Sequence, residues 1–314
     1  MTDETKPTLV LEHVTKQYGD FTAVDDLSLQ VRPGRIFGLI GPNGAGKTTT
    51  IRMIVNITIP DSGRIELFGQ TMETRLQDRI GYLPEERGLY RKMKVGEQLK
   101  FFAELKDVRG KEADQRIDNW LQKMGLSDWK TRRTKDLSKG MQQKVQFITA
   151  VIHNPDLLIL DEPFSGLDPV NVELMKETIL ENKREGKTII LSTHQMEIAE
   201  KLCDDVCMIN HAKKVLDGQL RKIRRSFSRN AVALQVANAD GVLQDKSLVV
   251  NVRQNGDDTE VLMAPGVDAQ ALLKRLVEAG ALVNKFELAE PSLHDIFVRI
   301  ASPTDPTKGE HVLA

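Results

Sequence analysis

The sequence predicts an α/β protein, with a parallel core sheet, an antiparallel flank and a helical subdomain, followed by a small C-terminal α+β domain. Three observations carry that prediction. Short apolar runs at 36–40, 157–160 and 188–191 alternate with helical stretches, as the buried strands of a parallel sheet do. A glycine-rich turn at 41–46 lies between the first of these runs and a helical continuation. Beyond about Gly218 the pattern changes to alternating strands and amphipathic helices. At 314 residues the chain is long enough for about two domains.

Residues 8–14 and 27–31 alternate apolar and polar side chains, as antiparallel strands with one covered face do. Arg32-Pro33-Gly34 turns the chain into the strand at 36–40, and a helix is expected at 49–55. A turn at 60–63 precedes a short strand at 64–68. From 94 to 123 the chain reads as helical. Val95, Leu99, Phe102 and Leu105 share one face there, a stripe that fits either core packing or partner docking. A second helical region, 137–153, carries Met141, Val145, Ile148 and Ile152 and stops at Asn154-Pro155. Asp168-Pro169 has the form of a helix cap with a first-turn proline, opening a helix at 170–184. The five basic residues at 221–229 read as a linker helix within 221–230. The domain at 231–302 is expected to hold strands at 231–236, 247–253, 261–263 and 282–288, with a hairpin turn at 255–258. Its helices fall at 268–279 and 292–300, and residues 303–314 read as a disordered tail.

Composition narrows the function. Hydrophobic residues make up 40% and charged residues 28%, as in a globular protein with an ordinary core. A net charge of −1 gives no global electrostatic case for nucleic acid or an anionic membrane. Residues 1–7 are polar and acidic, unlike a signal peptide, and no apolar run approaches the roughly 20 residues that cross a bilayer. Cys203 and Cys207 lack zinc-site spacing and read as free, buried thiols in a reducing compartment.

The chemistry lies in the motifs. Gly41-Pro42-Asn43-Gly44-Ala45-Gly46-Lys47-Thr48 fits G-x-x-x-x-G-K-[ST] between a strand and a helix, the context this phosphate-cradling loop requires. Its glycines let successive N–H groups turn inward, and the helix adds its positive end. Lys47 is placed to reach the β/γ-phosphates and Thr48 to ligate Mg²⁺, with Thr49 beside them. The strand at 157–160 ends in Asp161-Glu162. Asp161 suits a water-mediated Mg²⁺ contact, and Glu162 suits polarising the water that attacks the γ-phosphate.

Leu137-Ser138-Lys139-Gly140-Met141-Gln142-Gln143 resembles the LSGGQ signature of ATP-binding cassette (ABC) ATPases. The order downstream is similar too. Asp161-Glu162-Pro163 is followed by Ser165-Gly166-Leu167-Asp168, which resembles the family's D-loop, and by Ser192-Thr193-His194, which resembles its switch histidine. Upstream, Lys16-x-Tyr18-Gly19 resembles the aromatic A-loop. The resemblance covers about 9–218 and implies a P-loop NTPase of ABC type, with an ATP-binding domain at 8–220 and a helical subdomain at about 85–153. It implies ATP and Mg²⁺ as cofactors, Tyr18 stacked on adenine, and His194 bonded to the γ-phosphate or the attacking water. It also implies a head-to-tail homodimer around two ATP molecules, in which Ser138 and Gly140 close on the nucleotide of the opposite subunit and Asp168 lies at the seam. Two departures stand out. Lys139 and Met141 replace the family's Gly and Gln, and Lys139 either adds a cation near the phosphate or projects into solvent. Glu85, in Leu83-Pro84-Glu85-Glu86, replaces the glutamine of the Q-loop, where a carboxylate can still join Mg²⁺ or water coordination.

A single cassette implies a subunit paired with a separate integral-membrane permease at the cytoplasmic face of the cell membrane. Glu85-Glu86-Arg87-Gly88-Leu89-Tyr90 and Glu290-Pro291-Ser292-Leu293-x-Asp295-Ile296-Phe297 resemble segments of exporter ATPases of the sodium-efflux and drug-resistance (daunorubicin-type) groups. That favours export over import. The rival reading is a soluble regulatory ATPase acting on a protein or nucleic-acid partner without transport. Its best feature is the basic run at 221–229, which reads more simply as a solvated linker.

Overall fold

The structure, a computed structural model, describes residues 6–86, 88–227 and 230–301, and the chain divides into two compact units, Met1–Leu220 and Arg221–Ala314. Arg87 and the expected tail at 303–314 lie outside the described residues.

The first unit opens with β1 (Leu9–Tyr18), β2 (Phe21–Val31), β3 (Ile36–Ile40), α1 (Lys47–Ile54), β4 (Ser62–Leu67), β5 (Gln70–Thr71) and β6 (Ile80–Leu83). Three helices follow: α2 (Val95–Leu105), α3 (Gly110–Lys123) and α4 (Lys139–Val151). It closes with β7 (Leu157–Asp161), α5 (Pro169–Arg184), β8 (Thr188–Thr193), α6 (Met196–Leu202), β9 (Asp205–Asn210) and β10 (Lys213–Gln219). An antiparallel sheet runs β2-β1-β4-β5, and a second sheet runs β10-β9-β3-β8-β7-β6. In the second sheet β9, β3, β8, β7 and β6 are parallel and β10 pairs antiparallel at the edge. Every residue of β3, β7 and β8 is buried, which explains their unbroken apolar character.

The register fixes where the site lies. Ile40 pairs with Thr193, Asp161 with Ser192, and Leu83 with Leu160, so the carboxyl ends of β3, β8, β7 and β6 form one row. Open α/β sheets bind ligands along that edge. The helix α4 lies directly on β6, because a Cβ at Gly81 would stand 2.0 Å from the Ala150 carbonyl oxygen. Only glycine permits that approach.

The helical reading of 94–123 needs one correction: the segment is two helices. Asp107 and Gly110 both take positive φ, 58° and 59°, and break it between α2 and α3. Its apolar stripe divides as well. Val95 and Leu99 are buried, Phe102 is half-buried, and Leu105 is 60% exposed. By contrast α5 starts as expected, with the Asp168 carboxylate accepting from the Asn171 N–H at 3.0 Å and Pro169 in the first turn.

The second unit contains most of α7 (Leu220–Phe227), then β11 (Ala231–Ala237), α8 (Asp240–Leu243), β12 (Val249–Asn255), β13 (Asp258–Met263), α9 (Ala269–Glu278), β14 (Leu282–Leu288) and α10 (Leu293–Ala301). Its antiparallel sheet, ordered β12-β13-β11-β14, packs Val232, Leu234, Val261 and Met263 with Leu272 and Leu276 of α9. The basic helix α7 is tied into this unit: Arg224 Nε donates to the Pro291 carbonyl at 3.1 Å.

His153, just beyond α4, gives the fold a pH dependence. Its Nε2 lies 3.1 Å from the Ile80 carbonyl, so the neutral tautomer with a proton on Nε2 fits, and Nδ1 is buried without a partner. Burial pulls its pKa from 6.5 to about 4, against the opposing Ile80 bond. The unfolded chain therefore takes up a proton near 6.5 while the folded one waits until about 4, so stability falls as pH drops through that window. The melting temperature is expected to fall between about pH 7 and pH 5, and to fall less in His153→Gln. Parallel pH profiles for the two proteins would remove His153 from this role.

Candidate active site

Nucleotide chemistry is expected at the row of strand ends, and the structure gathers most of the expected residues there. Beyond β3 the loop from Gly41 to Gly46 passes through positive φ at Gly41 (152°), Gly44 (78°) and Gly46 (110°). A Cβ at Gly41 would meet the Ile209 carbonyl at 2.1 Å, and one at Gly46 would meet the Ala23 carbonyl at 2.3 Å. No acidic residue occupies the first turn of α1, so its N-terminal N–H groups remain suited to an anion. Lys47 is buried and folds back over the loop, donating to the carbonyls of Gly41 at 2.9 Å and Pro42 at 3.1 Å. Burial lowers its pKa, while Glu162, Asp161 and Glu85 pull the other way. Those four side chains thus act on one another electrostatically.

Asp161 closes β7 completely buried, with neither carboxylate oxygen hydrogen-bonded. Burial raises its pKa, and the nearby Ser192 and Thr48 hydroxyls oppose that rise without closing a bond of ordinary geometry. Glu162 follows at φ 49°, a costly backbone setting for a residue with a Cβ. Its Oε1 accepts from the His194 backbone N–H at 3.0 Å and faces His194 Nδ1 at 2.8 Å. A carboxylate partner requires the proton on Nδ1, which leaves Nε2 of the half-exposed ring as the outward nitrogen. Thr193 Oγ1 reaches Glu162 Oε2 at 3.4 Å, and Lys47 Nζ stands 4.0 Å from Oε1.

The flanking residues fall on either side. Glu85 and Thr48 line a cavity of about 370 Å³ with Arg52 and Tyr82. Burial and the Asp161 charge push the Tyr82 hydroxyl up to about 12. Tyr18, 49% exposed, ends β1 opposite Phe21, and the strand bearing Phe21 backs onto Gly46 through Ala23. A half-exposed aromatic ring, with Lys16 Nζ 5.5 Å from its centroid, therefore stands close in sequence to the backbone that supports the phosphate loop.

A second group forms elsewhere in the first unit. Ser138 caps α4 by accepting from the Met141 N–H at 3.2 Å. A Cβ at Gly140 would sit 3.4 Å from the Gly166 carbonyl, so the start of α4 packs on the segment that leads to Asp168. Among the described residues no hydrogen bond or ion pair joins Ser138, Gly140 or Asp168 to the Lys47 group. Lys139 is exposed. A groove of about 1280 Å³ in the second unit, lined by charges of both signs such as Arg253, Glu260 and Arg299, contains none of the nucleotide-site residues, though Glu290, Pro291 and Asp295 of the C-terminal segment line it.

Sequence reasoning missed the polar residues on the buried face of α4. Gln143 Nε2 donates to the Pro163 carbonyl at 3.2 Å. Lys144 Nζ donates to Met124 O at 2.7 Å and Asn171 Oδ1 at 3.0 Å, and Asn171 in turn holds Asp168. The available signal was the run Gln142-Gln143-Lys144 and Gln146 within a helix otherwise counted by its apolar stripe.

Known proteins with the same pattern follow. The ABC transporter family profile matches residues 24–165, and the profile of the DrrA1-3-like ATP-binding protein C-terminal domain matches residues 218–301. An uncharacterized ABC transporter ATP-binding protein of Bacillus subtilis, YhaQ, is 44% identical over 290 residues, covering 92% of this chain and 97% of its own. A Nod factor export ATP-binding protein I of Paraburkholderia xenovorans is 34% identical over 292 residues, covering 92% and 95% respectively. Among solved structures, the ATP-binding subunit of an ABC transporter superposes with TM-score 0.66 at 32% identity, over 70% of this chain and 93% of that one. CbiO1 of Clostridium perfringens superposes with TM-score 0.61 at 27% identity, over 71% and 94%. The chain belongs to the ABC transporter ATP-binding proteins, ATPases built on a P-loop cassette, and carries a drug-resistance-type C-terminal domain.

Proposed function

We propose that this chain is the motor subunit of an export complex. Two copies close head to tail around two ATP molecules, and hydrolysis reopens them to drive a separate integral-membrane permease. The division of the motif residues into two groups carries this reading. Ser138, Gly140 and Asp168 sit at adjoining helix starts yet make no bond to the phosphate loop of their own chain, and a two-fold partner supplies each site with its missing half. The C-terminal domain match and the relatives named for Nod factor export support export.

The residues present fit Mg²⁺. Asp161 is a buried carboxylate with two unpartnered oxygens, a costly arrangement unless a cation completes it. Glu162, Asp161 and Glu85 against Lys47 leave three negative charges less one positive, an excess of two. Thr48, Asp161 and Glu85 would hold the ion, which supplies charge compensation for the phosphates. Lys47 exchanges its loop carbonyls for phosphate oxygens. Glu162 polarises the attacking water through Oε2, which has one long contact from Thr193 Oγ1 while Oε1 is held twice by His194, and His194 offers Nε2 to the γ-phosphate. Tyr18 stacks on the adenine.

The permease contact is assigned to an aromatic patch. Tyr90 is 52% exposed and meets Phe101 edge-on at 5.9 Å and Phe102 stacked at 6.2 Å between ring centroids. Tyr90 lies five residues after Glu85, so the chain links the patch directly to the nucleotide site. Among the described residues no helix is long and apolar enough to cross a membrane. A peripheral position at the cytoplasmic face follows from the proposed pairing with a permease.

Two variants test the site. Glu162→Gln keeps the bonds that shape the loop and loses the base, so hydrolysis should fall by about 10²–10⁴ while ATP binding persists. With ATP and Mg²⁺ that variant should move to a dimer in sedimentation velocity. Full turnover, or a species that remains monomeric with ATP bound, would overturn the assignment. Asp161→Asn removes a charge that burial disfavours, so the nucleotide-free protein should melt at higher temperature while Mg²⁺-dependent nucleotide binding weakens. Lower stability together with unchanged Mg²⁺ dependence would contradict the role given to Asp161.

A further inference from the structure

Among the buried polar side chains of α4 is one that the reaction as described does not use. Gln146 is only 3% exposed. Its Nε2 donates to the carbonyl of Pro84 at 3.1 Å and to that of Glu86 at 3.0 Å. These are the two backbone oxygens that bracket Glu85. The amide orientation is settled by its surroundings, since two carbonyls demand the nitrogen, and Oε1 is left buried without a partner. Both hydrogens of one buried side chain are thus spent on the backbone either side of a single residue.

Helix geometry explains how Gln146 reaches that segment. Ala150, one turn further along α4, presses its carbonyl on Gly81 in β6. Gln146 therefore lies on the same face of α4 and meets the chain just as it leaves β6 at Leu83. Among the described residues little else fastens the segment there. Arg52 pairs with the Glu86 carboxylate at 3.8 Å, but that carboxylate is 90% exposed, and an ion pair in water constrains weakly. At the far end of the segment a second buried glutamine, Gln98 on α2, accepts from the Tyr90 N–H through Oε1 at 2.6 Å. That contact holds the aromatic patch and leaves Glu85 to Gln146.

We propose that Gln146 is a positioning residue that sets Glu85 toward the buried charges of the nucleotide site and links that setting to the helix bearing the signature. The inference rests on Glu85 belonging to the site, as read above. Glu85 acts on both Lys47 and Asp161, so a displaced Glu85 changes the charge that a divalent cation meets. The helix that starts at Ser138 and the backbone that carries Glu85 are then coupled, because the tie between them is partly buried and made to main-chain carbonyls. A nucleotide that engages Ser138 in one site therefore acts on the metal-binding side of the other.

The test uses the full chain and measures equilibrium binding of a fluorescent ATP analogue as Mg²⁺ is titrated, with melting temperature followed in parallel. Gln146→Met keeps the volume and removes the donor; Gln146→Glu keeps the shape and turns acceptor against both carbonyls. Each should raise the Mg²⁺ concentration needed for half-maximal binding by about 10-fold, Glu more than Met, with Mg²⁺-free nucleotide binding unchanged. Glu85→Ala should produce a similar shift by itself, and Gln146→Met added to Glu85→Ala should shift it little further, because the first change has removed what the second acts through. A shift in Glu85→Ala with none in Gln146→Met, or additive shifts in the double variant, overturns the role of Gln146 alone. No shift in Glu85→Ala overturns the reading of Glu85 and this inference with it. A Gln146→Met protein that melts lower yet keeps its Mg²⁺ dependence shows a purely structural side chain and also overturns it. Gln146→Glu decides the matter where Gln146→Met fails to fold.

Discussion

Asp161 keeps an ionisable group where water does not reach it and where no donor bonds to it, and much of the cassette is arranged around that unsatisfied charge. The parallel register brings β3, β8, β7 and β6 to a common edge, so the ammonium of Lys47 and the carboxylates of Glu162 and Glu85 act on the same small volume. Opposite charges offset part of the desolvation of each group, and the imbalance that remains favours a cation with more than one charge. Lys47 is held ready by two loop carbonyls, which keeps a buried amine satisfied while no phosphate is present.

Glu162 adds a second cost, in backbone conformation. A residue with a Cβ at φ 49° persists only where its neighbours over-determine it. Here the Glu162 N–H donates to the Ser192 carbonyl at 3.1 Å, the Ser165 N–H donates back to the Glu162 carbonyl at 3.1 Å, and His194 holds the carboxylate twice. Strain, burial and hydrogen bonding agree in orienting one oxygen. Such agreement is expected of a group that must meet a water in one geometry and no other.

The buried strands were legible because nothing else in a globular chain is short, wholly apolar and bounded by turn residues. Residues 36–40 match β3 in full, 282–288 match the half-exposed, alternating β14, and α5 was announced by Asp168-Pro169. The loop glycines and the acid pair after β7 were legible because phosphate chemistry demands those residue types at those spacings. Other elements carried no such mark. β6 is four residues with a glycine inside, β10 is a polar edge strand, and β9, five of whose six residues are buried, was read only through the question of whether Cys207 ligates a metal. The break between α2 and α3 depends on two positive φ values, of which only the one at Gly110 has a signal in the sequence. Least legible were Gln143, Lys144 and Gln146. A polar side chain reads as surface until the loops that bury it are in place, and those loops come from 20 to 62 residues away.

The fastening of residues 84–90 has a consequence for how such subunits diversify. Gln146 and Gln98 grip the segment by the carbonyls of residues 84 and 86 and the amide of residue 90, groups that every amino acid at those carbonyls, and every one but proline at the amide, provides. Side chains in the segment can therefore be exchanged without loosening its anchorage. The same engine can in this way take a new docking partner by a few surface substitutions, while the mechanical link to the site of ATP cleavage is kept.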